Sequence, residues 1–229
     1  VCDYHFAPTE TSKKNLLEEN ISEDSILVTG NTVIDALIES IKKVDENPSE
    51  LIQNLSEKIG DKELVLVTGH RRENHGDGFE RICQALKRIA EDDKNRLIIY
   101  PVHLNPKVKQ PVNKILSEIN NIILIEPLAY QDFIWLMNRS KIIITDSGGV
   151  QEEAPSLGKP VLVMRDNTER PEAVEAGTVL LVGTNEDLIV SEALNLLNNK
   201  DNFEKMSKLH NPYGDGLASE RIVKFIKNK

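Results

Sequence analysis

The sequence predicts an α/β fold built on a Rossmann-like, doubly wound parallel sheet. Three observations predict it. First, six solid Ile/Val/Leu runs between Leu64 and Val182 alternate with helical segments, as strands buried on both faces of a parallel sheet do. Second, most of these runs empty into polar loops, at 69–78, 126–130, 146–149 and 165–170. In such sheets ligands sit beyond the carboxyl ends of the strands, so these loops are expected to share one rim. Third, Lys141–Ser156, KIIITDSGGVQEEAPS, reads as strand, glycine turn and helix start. That combination turns free backbone N–H groups and the positive end of a helix dipole toward one point, an anion site.

Taken in order, Phe6–Pro8 ends a first strand, and Thr9 is placed to cap a helix that runs to about Glu19. Ile26–Val28 is a second short run. Ile34, Leu37, Ile38 and Ile41 then form an i, i+3, i+4, i+7 stripe on one helix. Asp45-Glu46-Asn47-Pro48 reads as a breaker and hinge, and Ser49 caps a helix that Gly60 ends. Strands are predicted at 64–68, 97–102, 122–125, 141–145, 160–164 and 178–182. Helices are predicted at 79–91, 107–118, 131–138, 172–176, 185–197, 202–209 and 218–227.

Composition bounds the function. The 229 residues carry 28 Lys and Arg against 37 Asp and Glu, a formal charge of −9. That argues against nucleic acid or an anionic membrane surface as partner, while a local basic cluster can still hold an anionic ligand. The two cysteines, Cys2 and Cys83, are far apart. Cys83 falls on an apolar helix face, so a buried thiol in a reducing, cytoplasmic setting is expected. No apolar run reaches the roughly 18 residues of a membrane span. No HExxH, CxxC, GxGxxG or GxxxxGK[ST] pattern occurs, so no metal and no nucleotide-redox cofactor is predicted.

On the rim, the turn Ser147-Gly148-Gly149 allows close approach of a phosphate, with a plain βα turn as the competing reading. Glu153, one turn on, is in range of a ribose hydroxyl. His70 follows the first strand of the regular series and His103 the second; each reads either as a substrate-facing imidazole or as a loop histidine bonded to a carbonyl. Arg71 and Arg72 suit phosphate or a salt-bridged surface. Leu128 to Phe133 offers main-chain groups and one ring to a base or sugar, or a core aromatic. Arg170 reads as a diphosphate or sugar contact, or as the partner of Glu169 or Glu172. His75 is expected to face solvent, and His5 and His210 lie off the rim. Together these features favour a phosphorylated small molecule such as a nucleotide.

Five runs go beyond pattern: Thr145–Pro155, Arg165–Glu172, Gly69–Asn74, Tyr100–Pro106 and Asn211–Gly216. In their order along the chain they resemble the non-hydrolysing UDP-N-acetylglucosamine 2-epimerases, and the resemblance spans essentially the whole chain. It implies one half of a GT-B type two-domain fold. Residues 1–47 would be the tail of an N-terminal domain and hinge, and residues 48–229 a UDP-binding domain whose last helix crosses back. It implies interconversion of UDP-GlcNAc and UDP-ManNAc by elimination of UDP to 2-acetamidoglucal and re-addition, with no cofactor. It places the diphosphate on Ser147, Gly148 and Gly149, the ribose on Glu153, the uracil along Leu128 to Phe133, and Arg170 near diphosphate and sugar. His70 would be catalytic, and Arg71 and His103 would match a regulatory UDP-GlcNAc site. It further implies a homodimer in the full-length protein, a cytoplasmic location and a place in polysaccharide biosynthesis.

The family's carboxylates for C2 proton transfer match none of Asp3, Glu10 or Asp24. Val1–Thr9 reads as a strand entered in mid-chain, so the chain is expected to be the C-terminal part of a longer protein, binding UDP without epimerising. Two other functions fit the same residues: a GT-B glycosyltransferase with a UDP-sugar donor, and a non-catalytic UDP-sugar-binding module.

Overall fold

The computed structural model describes residues 2–229; Val1, where the first predicted strand begins, lies outside them. The main sheet contains β3 (Glu63–Thr68), β4 (Arg96–Pro101), β5 (Ile122–Ile125), β6 (Ile142–Thr145), β7 (Val161–Val163) and β8 (Val179–Leu181). Every pairing is parallel and the order is β5-β4-β3-β6-β7-β8. This is the doubly wound order, reversing direction between β3 and β6.

The strands are apolar throughout because both faces are covered. On β3, Val65 and Val67 point into one layer while Leu64 and Leu66 point into the other. The first layer is closed by α4 (Asp77–Asp92), α5 (Pro106–Leu116) and α9 (Glu186–Asn198), with Phe203 and Met206 of α10 (Lys200–Ser207) packed on it. Cys83 lies here on α4, and burial pushes its thiol up to about 12, so it stays protonated and unreactive. The second layer takes α2 (Thr32–Glu46), α3 (Glu50–Ile59), α6 (Tyr130–Arg139), α7 (Gly148–Glu153) and α8 (Pro171–Glu175). Each fully buried Ile, Leu or Val contributes roughly 1.5–3 kcal/mol of apolar transfer, so these layers dominate the favourable side of folding.

Caps form where the side chains allow them. Thr9, Asn31, Ser49, Asn105, Asn185 and Asn199 each accept a first-turn N–H. The break predicted at Asp45–Pro48 is narrower, since α2 continues through Asp45 and Glu46 and stops at Asn47. Val44 is buried one turn before that end, and its packing carries the helix through the acidic pair.

The leading segment makes a separate two-stranded parallel sheet from β1 (His5–Ala7) and β2 (Ile26–Val28), with α1 (Glu10–Glu18) between them. The last helix, α11 (Ala218–Lys227), reaches this sheet, where Phe225 sits edge-on to Tyr4 and Phe6 at 5.0 and 5.7 Å. Asp35 of α2 accepts from Ala218 N and Ser219 N, capping α11 from outside. Asp215, before the helix, takes the Arg221 fork, which holds its carboxyl down to about 2. Gly216 has φ +82°, and a Cβ there would stand 2.5 Å from Ile38 Cδ1, so the crossing requires glycine.

Glu172 joins the two ends of the chain. It accepts from Thr9 at 2.7 Å and from the Tyr213 hydroxyl at 3.0 Å. Burial works against its ionisation, but hydrogen bonds from Thr9, its own backbone, Tyr213 and Thr11 outweigh that and hold it below the usual carboxylate value. A depressed folded-state pKa adds stability above the unfolded value, lost as pH falls through the folded one. Glu172→Gln is expected to cost about 1 kcal/mol at neutral pH, already reduced for screening of a partly exposed group. Urea midpoints of the two proteins should converge on acidification; a gap that does not change with pH contradicts this role.

Candidate functional site

The reversal of strand order opens a crevice between the carboxyl ends of β3 and β6, and both loops there are tied to each other. Thr68 and Thr145, opposite in register, share a hydroxyl–hydroxyl bond of 2.6 Å, and Thr145 Oγ1 also accepts from Ser147 N at 3.0 Å. Asp146 is fully buried, and its Oδ2 accepts the main-chain N–H groups of His70 and Arg71, both at 2.8 Å. Asn74 Nδ2 bonds Met164 O at 3.0 Å and lies 3.5 Å from the same carboxylate oxygen. Tyr100, buried on β4, donates to Gly69 O at 3.1 Å. The loop after β3 is therefore pinned at Gly69, His70, Arg71 and Asn74.

Ser147 stands at the N-cap of α7 with φ −85° and ψ 131°, yet its hydroxyl makes no capping bond. The first-turn N–H groups of a helix lack intrahelical partners, so the amides at the start of α7 suit an anion. Gly148 is closely flanked by the loop after β7. A Cβ there would lie 3.1 Å from Glu169 Oε1 and 3.7 Å from an Arg170 guanidinium nitrogen.

Arg170 thus stands beside the turn, as predicted, but its acidic side-chain partner differs from expectation. Its Nε pairs with Glu152, not with a Glu169 or Glu172 carboxylate, and only its Nη1 reaches the Glu169 carbonyl, at 3.1 Å. Glu152 faces it because α7 turns that side chain toward the loop after β7, where Asn31 also bonds it at 2.8 Å. Glu169 is shared by Arg71, at 3.0 Å, and Arg165, which also holds Glu73 at 2.8 Å. The rim is a lattice of arginines held by carboxylates.

His70 and His103 stack, with ring centroids 5.6 Å apart and planes at 22°. His103 Nδ1 accepts from Asn105 N at 3.1 Å. His75, expected in solvent, is instead half-buried over Phe79, with ring centroids 5.9 Å apart. Phe79 opens the apolar face of α4, and that face draws the ring in.

Glu153 is only 6% exposed and accepts from the Tyr130 hydroxyl at 2.6 Å. Tyr130 opens α6, so this bond carries the loop after β5, an edge strand, over to α7. Leu128 and Phe133 are half-buried and pack on the second apolar layer. Sequence reading did not single out Asp146, Tyr130 or Glu152. A strand-end aspartate before Ser-Gly-Gly was the available signal for Asp146, but it reads equally as a turn residue.

A groove of about 650 Å³ lined by Asn74, His75, Arg81, Arg165, Asp166 and Thr184 runs along the same rim, away from the glycine turn. Among the described residues no group of three or more His, Cys, Asp or Glu is arranged to hold a metal ion, and no helix is long and apolar enough to cross a membrane.

A family model described as UDP-N-acetylglucosamine 2-epimerase matches residues 1–227. The chain belongs to the UDP-N-acetylglucosamine 2-epimerase family. Within that family it is 57% identical over 228 residues to the UDP-N-acetylglucosamine 2-epimerase of Escherichia coli K12, covering 98% of this chain and 61% of the relative. The chain thus spans about three fifths of the length of the curated relatives it matches. The crystal structure of the Neisseria meningitidis UDP-GlcNAc 2-epimerase bound to UDP-GlcNAc superimposes with a TM-score of 0.89 at 46% identity, over 99% of this chain and 62% of that one. The Methanocaldococcus jannaschii UDP-GlcNAc 2-epimerase in complex with UDP-GlcNAc and UDP gives 0.79 at 35% identity, over 99% and 61%. The sheet is accordingly the Rossmann-like half of a GT-B type fold, as the sequence predicted.

Burial raises the Glu153 carboxyl, the Tyr130 hydroxyl pulls it back, and Glu152 adds a smaller upward push. A carbon-detected titration of Glu153 should therefore show a midpoint above the ordinary glutamate value, and Tyr130→Phe should move it higher still. A midpoint that falls or stays fixed in Tyr130→Phe contradicts the pairing.

Proposed function

We propose that this chain is the UDP-binding half of an epimerase that interconverts UDP-GlcNAc and UDP-ManNAc. The observation that carries the reading is the Ser147–Gly149 turn with the Arg170 guanidinium beside Gly148, in a chain whose fold neighbours are described with UDP-GlcNAc and UDP bound. The diphosphate accepts from Ser147 and from the amides at the start of α7, while Arg170 leaves Glu152 for a phosphate oxygen. Elimination breaks the C1–O bond to UDP and removes the C2 proton, giving 2-acetamidoglucal; UDP then adds back at C1 with its original configuration while a proton is delivered to the opposite face of C2, which inverts C2. Negative charge grows on the departing UDP, so donors aimed at the diphosphate favour the transition state as well as binding.

In this reading the carboxylate oxygen of Glu153 not held by Tyr130 receives a ribose hydroxyl, and the Leu128–Phe133 segment receives the uracil. His70 exchanges a proton at the sugar, and Arg71 with the stacked His103 contributes to a regulatory site for a second nucleotide sugar. Residues 1–47 act as the tail of an N-terminal domain and hinge, and residues 48–229 as the UDP-binding domain. The packing of α11 on β1 and β2 supports a last helix that crosses back. The full-length protein is cytoplasmic and a homodimer, and the other domain supplies the C2 acid–base carboxylates.

Calorimetric titration of UDP, UMP and UDP-GlcNAc against this chain tests the assignment. UDP should bind more tightly than UMP. Arg170→Ala should weaken UDP about 10- to 100-fold, the value of one charge-assisted hydrogen bond, and UMP less. Glu153→Ala should weaken UDP and UMP alike, by up to about tenfold, because both carry the ribose. Equal UDP affinity in all three proteins overturns the site, and formation of UDP-ManNAc by this chain alone overturns the division of labour.

A further inference from the structure

The carboxylate of Asp146 has two oxygens with different environments. Oδ2 is occupied by the His70 and Arg71 amides. Oδ1 is buried and has no hydrogen-bond partner among the described residues, while His70 Nδ1 stands 3.3 Å away. The Asp146 side chain is 0% exposed and that of His70 45%. A buried carboxylate oxygen without a donor is costly, and an imidazole N–H at Nδ1 is a donor within reach of it.

We propose that Asp146 is the positioning residue for His70, selecting the tautomer with hydrogen on Nδ1 and leaving Nε2 as the free nitrogen turned away from the sheet. Which imidazole nitrogen carries the proton is set by the partner of the other. The main-chain bonds to Oδ2 fix where the His70 backbone sits, and Oδ1 fixes which edge of the ring turns inward. His103 is set the opposite way, because its Nδ1 already accepts from Asn105 N. The stacked pair therefore holds two different neutral tautomers, and only His70 offers a bare nitrogen able to take up a proton from the cleft. Asp146 also leads directly into Ser147, so one residue couples the orientation of the imidazole to the turn assigned above to the diphosphate. The significance for the reaction rests on the nucleotide-sugar reading, whereas the tautomer assignment does not.

The test is a long-range proton–nitrogen spectrum of the histidine-labelled chain at about pH 8.5, well above the ordinary histidine pKa, with His70→Gln used for assignment. His70 should show a protonated Nδ1 and a bare Nε2. Asp146→Asn keeps an acceptor for the two amides but puts an amide NH2 against the ring, so His70 should switch to the Nε2–H form while cooperative unfolding is retained. An Nε2–H form in the unsubstituted chain overturns the proposal, and so does the same tautomer in both proteins. The unsubstituted spectrum decides the matter even where the variant fails to fold. UDP titration of the same samples separates the two readings: an unsubstituted chain with the Nδ1–H form that takes up no UDP upholds the positioning role and overturns the nucleotide assignment.

Discussion

The buried carboxylate of Asp146 is the interaction on which the rim depends. Burying a charge costs several kcal/mol unless donors compensate it, and the compensation here comes from the main chain of the facing loop. Two amides on one oxygen leave the loop after β3 little freedom relative to the loop after β6. Because β3 and β6 are the strands between which the sheet reverses, the chain itself does not connect these loops locally. A side-chain bond to backbone does it, helped by the Thr68–Thr145 pair one residue earlier.

The second constraint is the balance of charge around the turn. Arg71, Arg165 and Arg170 would repel one another if bare, and Glu73, Glu152 and Glu169 hold them in place. Such partly exposed pairs add little to stability. Their value is preorganisation: the side chains are already ordered, so an incoming anion would replace one partner rather than order a free side chain. The protein therefore carries an overall charge of −9 and still gathers three arginines on one rim.

Much of this was legible in the sequence. The six strands follow from unbroken apolar runs, and the caps at Thr9 and Ser49 from hydroxyls placed just before helical segments. The rim followed from loops that leave strand ends, and the glycine turn from its place before a helix. Pairings across the fold were not legible. Tyr130 and Glu153 are brought together by α6 and α7, and Arg170 meets Glu152 only because α7 presents that face. His75 looked solvent-facing because periodicity does not describe a loop ring drawn over the first aromatic of the following helix. Asp146 carried a turn-like signature, and only register across β3 and β6 shows what its carboxylate faces.

The central claim is that the Ser147–Gly149 turn grips a diphosphate. A crystal structure of this chain grown with UDP tests it most directly. The account predicts the β-phosphate against Ser147 and the first amides of α7, with Arg170 turned from Glu152 onto a phosphate oxygen and the ribose at Glu153. UDP seated in the groove between Arg81 and Thr184 with the Arg170–Glu152 pair intact would contradict it.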